Sequence, residues 1–312
     1  MKSLGSKRFQ KVYIEISNVC NLQCEFCPEV IRDKKFMDEE LFTKIIKGIA
    51  PLTSSVCFHL MGEPMVHPEF GRYIEICAGE NIDVQITSNG VLLNEKRSAF
   101  LLNPTVKQVN FSVHSFEANF PGKDISQYLT KIFAFTQEAF EKRPDLYINY
   151  RLWNLQDSTD HSLTNKIVYE KIKEAFNIEF DSTVDVGIKK SVKLLNRLYL
   201  HFDSRFQWPN QNHPKRQTKG HCYGLTSHMG ILADGTVVPC CLDKEGVIAL
   251  GNCRSQNILE ILESERVQKM HKGFKDGNLV EDLCQRCTFI SRFDKKKIMK
   301  VRHEHVEHHH AR

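Results

Sequence analysis

The chain has no run of about eighteen apolar residues, so no segment reads as a membrane-spanning helix. It also lacks an apolar signal core: its first eight residues are polar and basic and a strand pattern follows at once, which predicts a cytoplasmic protein. No internal repeat is evident, which argues against solenoid and array folds. Neither sign of charge dominates, since 43 basic against 38 acidic residues leave a net +5, too mild an excess to argue for a nucleic-acid partner. A hydrophobic content of 41% and a charged content of 26% suit a soluble globular protein, and 312 residues suffice for one large domain or two smaller ones.

Cysteine, by contrast, is abundant. Eleven cysteines in a short secreted domain would form a disulfide framework, but the length, the odd count and the missing export signal favour metal ligation. Nine of the eleven fall in two groups: Cys20, Cys24 and Cys27, then Cys222, Cys240, Cys241, Cys253, Cys284 and Cys287. Cys57 and Cys77 lie between the groups and read as packed thiols behaving as small hydrophobes. The first group has the spacing C-x3-C-x2-C directly after a strand at 12–17. Three soft sulfur ligands suit an iron–sulfur cluster better than a hard cation. A structural zinc or an ordinary cubane takes four protein ligands, so three leave one corner open. A zinc knuckle borrowing a distant fourth ligand would use the same residues.

Strand patterns at 12–17, 56–61, 84–87, 109–113 and 147–152 alternate with helix patterns at 38–49, 70–78, 94–102 and 125–142; a helix at 165–177 and a strand at 198–202 follow. Such alternation favours parallel strands joined by crossover helices, an α/β architecture whose working residues gather at the C-terminal strand ends. The first cysteine loop, Gly62-Glu63-Pro64 and Ser88-Asn89-Gly90 all follow strands and should share one rim. Residues 205–220, polar and with two prolines, mark a domain boundary. Beyond it a hairpin turns at Ala233-Asp234-Gly235 between strands at 229–232 and 236–238. A single helix is expected at 258–274, and the last C-x2-C lies within 282–288. The units expected are a core over 8–205, an auxiliary domain over 206–292 and a basic, His-rich, solvated tail over 293–312.

With Phe26 before its last cysteine, the C-x3-C-x2-C loop is similar to the signature of the radical S-adenosylmethionine (SAM) enzyme superfamily. Met61-Gly62-Glu63-Pro64 resembles that family's Gly-Gly-Glu-Pro motif, with Met in place of the first glycine. Ser88-Asn89-Gly90 resembles its Thr-Asn-Gly turn. The resemblance implies a partial (β/α)6 barrel and a 4Fe–4S cluster on Cys20, Cys24 and Cys27. SAM would chelate the open iron, and its reductive cleavage by an electron from a flavodoxin- or ferredoxin-like partner would yield a 5′-deoxyadenosyl radical. It further implies cofactor contacts for Phe26, Glu63, Ser88, Asn89, Ser112, His114 and Arg151, with Glu63 toward the methionine ammonium and Arg151 toward its carboxylate.

The C-terminal cysteines resemble the auxiliary-cluster domain called twitch, a shortened form of SPASM. They imply a second 4Fe–4S cluster on Cys222, Cys240, Cys284 and Cys287, although a four-cysteine zinc site uses the same ligands. Cys241 and Cys253 depart from the minimal set and are taken as bystanders. In the family's twitch dehydrogenases, which oxidise a cyclitol hydroxyl to a ketone, an arginine shortly before the first auxiliary cysteine contacts the substrate. Arg205, seventeen positions before Cys222, occupies that place and is the catalytic candidate. The function implied is a two-electron oxidation of a sugar- or cyclitol-like small molecule. The alternative is a maturase that modifies a ribosomally made peptide; such enzymes often carry a peptide-binding domain ahead of the first cluster, for which the position of Cys20 leaves no room.

Overall fold

The computed structural model describes residues 8–155, 162–183 and 185–293; the expected tail beyond 293 lies outside the described residues. In chain order the elements are β1 (Lys11–Ile14), α1 (Glu39–Ile49), β2 (Ser55–Phe58), α2 (Phe70–Gly79), β3 (Asp83–Ser88), α3 (Glu95–Leu101) and β4 (Val106–Ser112). Then come a short α4 (Ser115–Asn119), α5 (Ser126–Lys142), β5 (Tyr147–Leu155), α6 (Leu163–Phe176), β6 (Ser191–Leu195) and β7 (Leu198–Ser204). The C-terminal part supplies β8 (His228–Ile231), β9 (Thr236–Val238), β10 (Gly251–Asn252), α7 (Ile258–Glu263), α8 (Glu265–Lys275) and α9 (Asp282–Arg286).

Strands β1, β2, β3, β4, β5 and β7 pair in that order and all run parallel, giving the partial (β/α)6 barrel. The helices form where expected for local reasons. Asp38 accepts the Leu41 backbone N–H at 2.9 Å and so caps α1. Leu41, Phe42, Ile45, Ile46 and Ile49 then form one buried stripe against the sheet, each contributing roughly 1.5–3 kcal/mol. Along the strands the outer face is apolar: Val12, Ile14, Val56, Phe58, Val84, Ile86, Val109 and Phe111 are buried. The residues between them, such as Tyr13, Cys57, Gln85, Gln108 and Asn110, turn inward and line a cavity.

Three differences from the sequence reading have physical causes. The helix expected over 258–274 is two, broken at Ser264, whose backbone is extended (φ −60°, ψ 149°). Ile258, Ile261 and Leu262 bury on α7 and Val267, Met270 and Phe274 on α8. No single 3.6-residue stripe holds both sets, and the break resets the phase. Strand β6, not read from the sequence, folds back antiparallel on β7 through a turn with Asn196 in the left-handed region (φ 48°). The C-terminal hairpin β8–β9, beyond the expected boundary at 205–220, joins the core sheet: β8 pairs parallel with β1, from Lys11↔His228 to Ile14↔Ile231. No helix among the described residues is long and apolar enough to cross a membrane.

Candidate active site: one cavity between two cysteine groups

The loop after β1 is closed at its base by Asn18, whose Oδ1 accepts from Lys35 N at 2.6 Å and whose Nδ2 donates to Asp33 O at 2.9 Å. Inside it, Cys27 N donates to Cys24 O at 3.0 Å, and the Cys20 sulfur accepts Leu22 N at 3.4 Å. A side chain that the sequence did not single out holds the middle of the loop. Asn119, the last residue of α4, donates to Cys24 Sγ at 3.0 Å and accepts from Gln23 N at 2.8 Å.

The loop is also tied to the C-terminal part. Arg32 pairs with buried Glu15 at 3.0 Å and donates to Lys244 O at 2.7 Å, while Glu15 accepts Ala233 N at 3.1 Å. Lys244 in turn donates to Glu29 O at 2.6 Å. A buried pair of this kind is costly to break, because either charge alone would be stranded out of water. These bonds bring the two cysteine groups, nearly two hundred residues apart in the chain, to one place.

That place is a cavity of about 800 Å³. Cys20, Cys24 and Cys27 line it, and so do Cys222, Cys240, Cys284 and Cys287. Within each set the thiols sense one another. Burial first, then Cys24 and Cys20, push the Cys27 thiol up to about 11. Burial, then Cys222 and Cys287, push Cys284 up, and Cys240 rises through burial, Cys241, Cys222 and Cys284. Among the described residues no three His, Cys, Asp or Glu side chains converge on a single ion. The groups are open donor sets rather than closed coordination spheres. Three thiols with amide donors to two sulfurs, lining one cavity with four more thiols, match the donor chemistry of two iron–sulfur clusters.

Cys253 does not belong to this set: it is buried in the core and does not line the cavity. Cys241 lines it, on the side of Tyr13 and Cys57. The reading of Cys57 as a packed thiol needs correction. It is buried, but it lies on the cavity wall with its thiol donating to Gln85 Oε1 at 3.5 Å; Cys77 is packed as expected.

The motif residues gather on the rim that their strand ends predict. Glu63, 2% exposed, accepts Met65 N at 3.0 Å with one oxygen and Asn89 N at 2.7 Å with the other, joining the loops after β2 and β3. Burial dominates its environment and lifts its carboxyl to about 7 despite those two donors. Asn89 donates to Asn21 Oδ1 at 2.9 Å and reaches Cys20 Sγ at 3.9 Å, and its carbonyl accepts Tyr128 Oη at 2.7 Å. Ser88 Oγ accepts Gly90 N at 2.9 Å, fixing the turn.

The Phe26 ring lies 4.9 Å from that of His114, and both line the cavity with Ser112. His114 Nδ1 sits 3.0 Å from Arg151 O and 3.4 Å from Trp153 N, which anchor the ring to β5; burial lowers its pKa to about 4, so the ring is neutral at pH 7. Arg205 stands at the mouth, paired with Glu25 of the cysteine loop at 2.7 Å. Among the described residues Arg151 makes no ion pair; it stacks on Trp153 with its guanidinium carbon 4.5 Å from the ring.

Gly62 shows how tightly the rim is built. Its φ is +75°, and a Cβ would lie 2.3 Å from Ser17 O and 2.9 Å from Asn18 backbone atoms. Gly62→Ala is therefore expected to destabilise the fold by about 1–3 kcal/mol from backbone strain alone, and to displace the strand end that carries Cys20. Thermal unfolding of the variant checks this; an unchanged midpoint would contradict the close approach.

Comparison with known proteins agrees with this geometry. A family model for the radical SAM superfamily matches residues 14–151, and one for SPASM, an iron–sulfur cluster-binding domain, matches residues 222–288. The chain is 23% identical over 298 residues to a "tungsten-containing aldehyde ferredoxin oxidoreductase cofactor-modifying protein" of Pyrococcus furiosus, covering 82% of this chain and 81% of that one. It is 20% identical over 294 residues to the SAM-dependent 2-deoxy-scyllo-inosamine dehydrogenase of Niallia circulans, covering 91% and 95%.

Among solved structures, BtrN in complex with AdoMet and 2-DOIA superposes with a TM-score of 0.59 at 16% identity, over 91% of this chain and 94% of that one. Streptococcus suis SuiB bound to precursor peptide SuiA superposes with 0.58 at 14% identity, over 93% and 74%. At these identities the superpositions establish the fold alone. Taken with the two family matches, the site identifies this chain as a member of the radical SAM enzyme superfamily with a SPASM domain, whose cofactors are SAM and two 4Fe–4S clusters.

Proposed function

We propose that the protein oxidises a hydroxyl-bearing small molecule, sugar- or cyclitol-like, by two electrons. The observation that carries this reading is that both cysteine groups open onto one cavity, so a single bound molecule can face both. When bound, SAM and its cluster supply a hydrogen-abstracting radical, and the second cluster supplies an acceptor for the electron left behind. The chain's own residues do the rest. Cys20, Cys24 and Cys27 hold the first cluster. Phe26 and His114 wall the adenosine side, and Glu63 receives the methionine amino group. Cys222, Cys240, Cys284 and Cys287 hold the second cluster. Arg205, steadied by Glu25, turns its remaining N–H donors to a substrate oxygen. Glu-Pro at the rim and an open three-thiol set speak for catalysis rather than simple electron transfer. The reductant is a flavodoxin- or ferredoxin-like protein.

A cavity of about 800 Å³ lies within the range of small-molecule sites, and the cofactor must share it. That favours a compact substrate over a peptide. The test incubates the anaerobically reconstituted, reduced protein with SAM and the low-molecular-weight fraction of a cell extract. A metabolite losing two hydrogens in step with 5′-deoxyadenosine formation is the expected result. A mass change confined to a peptide would overturn the reading.

Glu63 adds a pH signature. Its carboxyl titrates near 7 because it is buried, and only the ionised form attracts the amino group. Below that value a proton must leave before binding. The Glu63-dependent part of SAM affinity should therefore fall about tenfold from pH 8 to pH 6. Titration calorimetry of wild type and Glu63→Gln at both pH values measures it as a difference, which cancels the ligand's own ionisation. Equal slopes would contradict the assignment.

A further inference from the structure

The barrel interior below the rim is polar, yet among the described residues it holds no free acid. Asn110 donates to Thr87 Oγ1 at 3.2 Å and accepts from Gln108 at 2.8 Å and Asn149 at 2.8 Å, so the amides and hydroxyl satisfy one another. The carboxylates near the cavity are engaged elsewhere: Glu63 by two backbone N–H groups, Asp243 by Val247 N and Ile248 N, Glu15 by Arg32. Two cations remain. Lys11, from β1, lines the cavity with its ammonium 5.3 Å from the Tyr13 ring, and it makes no ion pair among the described residues. Arg151, from β5, donates one N–H to Thr87 Oγ1 at 3.3 Å, and its Nε is sealed from solvent without a hydrogen-bond partner.

Both charges act on the same neighbours. Burial comes first, but the Cys57 thiol is drawn down by Lys11 and by Arg151 as well. His59 falls to about 3 through burial, then Arg151 and Lys11; His228 falls to about 4 through burial and Lys11. Those imidazoles are thus neutral, and the positive field comes from Lys11 and Arg151. The Arg151 plane is also pre-set. It stacks on Trp153, whose Nε1–H donates to His201 Nδ1 at 2.9 Å. A buried guanidinium with no counter-charge and an unused donor is expensive unless an anion completes it.

The geometry points to an anionic oxygen group on the substrate, a phosphate ester or a carboxylate, held between Lys11 and Arg151 at the inner end of the cavity. This rests on the reading that the cavity takes a polyol, and it departs from the assignment of Arg151 to the methionine carboxylate. Arg151 shares Cys57 and His59 with Lys11, and the His59 ring lies 6.5 Å from the Tyr13 ring beside which the Lys11 ammonium sits. It also departs from an aminocyclitol, whose ammonium these two cations would repel.

The test is calorimetric binding to the reconstituted holoenzyme, kept oxidised and saturated with SAM so that nothing turns over. Glucose 6-phosphate, glucuronate, glucose and glucosamine serve as probes at constant ionic strength. One or both of the anionic probes should bind, the neutral and cationic ones should not, and whichever anion binds identifies the group. Lys11→Gln and Arg151→Gln should each weaken that binding about tenfold or more. Lys11 is partly exposed, so its variant keeps the test valid if Arg151→Gln fails to fold. Equal binding of glucose or glucosamine, anion binding that survives Lys11→Gln, or anion binding that disappears once SAM is present would overturn the inference. Oxidation of a neutral polyol without anion binding would overturn this inference alone and leave the proposed reaction standing.

Discussion

Replacing Cys24 by alanine is expected to reduce 5′-deoxyadenosine formation to the background of the iron-free protein. A fall of 10³-fold or more corresponds to at least ~4 kcal/mol of lost transition-state stabilisation. Cys24 is the middle thiol of the first set, and the set's other two thiols, Cys20 and Cys27, are already assigned to the same cluster. Its side chain is not part of the buried core, and its sulfur contact is the Asn119 amide. The fold should therefore survive. Iron should drop by about half as one of two four-iron clusters is lost, with thermal unfolding little changed. Retained cleavage with half the iron would place the SAM-binding cluster on the other cysteine group.

Replacing Cys284 by alanine should have the opposite signature. Iron again falls by about half, but cofactor cleavage persists and the oxidised product disappears. The electron left on the substrate then has no acceptor, and the radical reverts or leaks. Cys284 senses both Cys222 and Cys287, two other thiols of its group. It also packs partly against the core, so thermal unfolding must accompany the assay. A stable Cys284→Ala protein that still forms product at the wild-type rate would remove the auxiliary cluster from the reaction.

The sequence carried the outline well because its signals were local. Asp38 and Asn94 cap the helices they precede, and the turn residues Ser88-Asn89-Gly90 stand at the strand end where they were expected. Gly62 was legible as part of a motif, and the structure gives its reason in the approach to Ser17 O. Ser264 was not legible: serine is tolerated inside a helix, and only packing on both sides decides the break. Asn119 was missed because its partner is ninety-five residues away.

The cavity wall could have been found. Parallel strands buried on both faces read as continuous apolar runs. Here Val12, Ile14, Val56, Phe58, Val84 and Ile86 instead alternate with Tyr13, Cys57 and Gln85. That period-2 pattern marks a polar interior, and it would have taken Cys57 out of the core. Arg205 illustrates the limit of spacing as a guide. Counting back from Cys222 picks it out, but its partner Glu25 belongs to the first cysteine loop, so it links the two halves of the site.

The most direct test of two clusters sharing one cavity is a joint count on a single anaerobic preparation: iron, zinc, and 5′-deoxyadenosine formed after reduction in the presence of SAM. The account predicts about eight irons per chain, no stoichiometric zinc, and cleavage that requires the reductant. About four irons with one zinc, or eight irons with no cleavage, would contradict it.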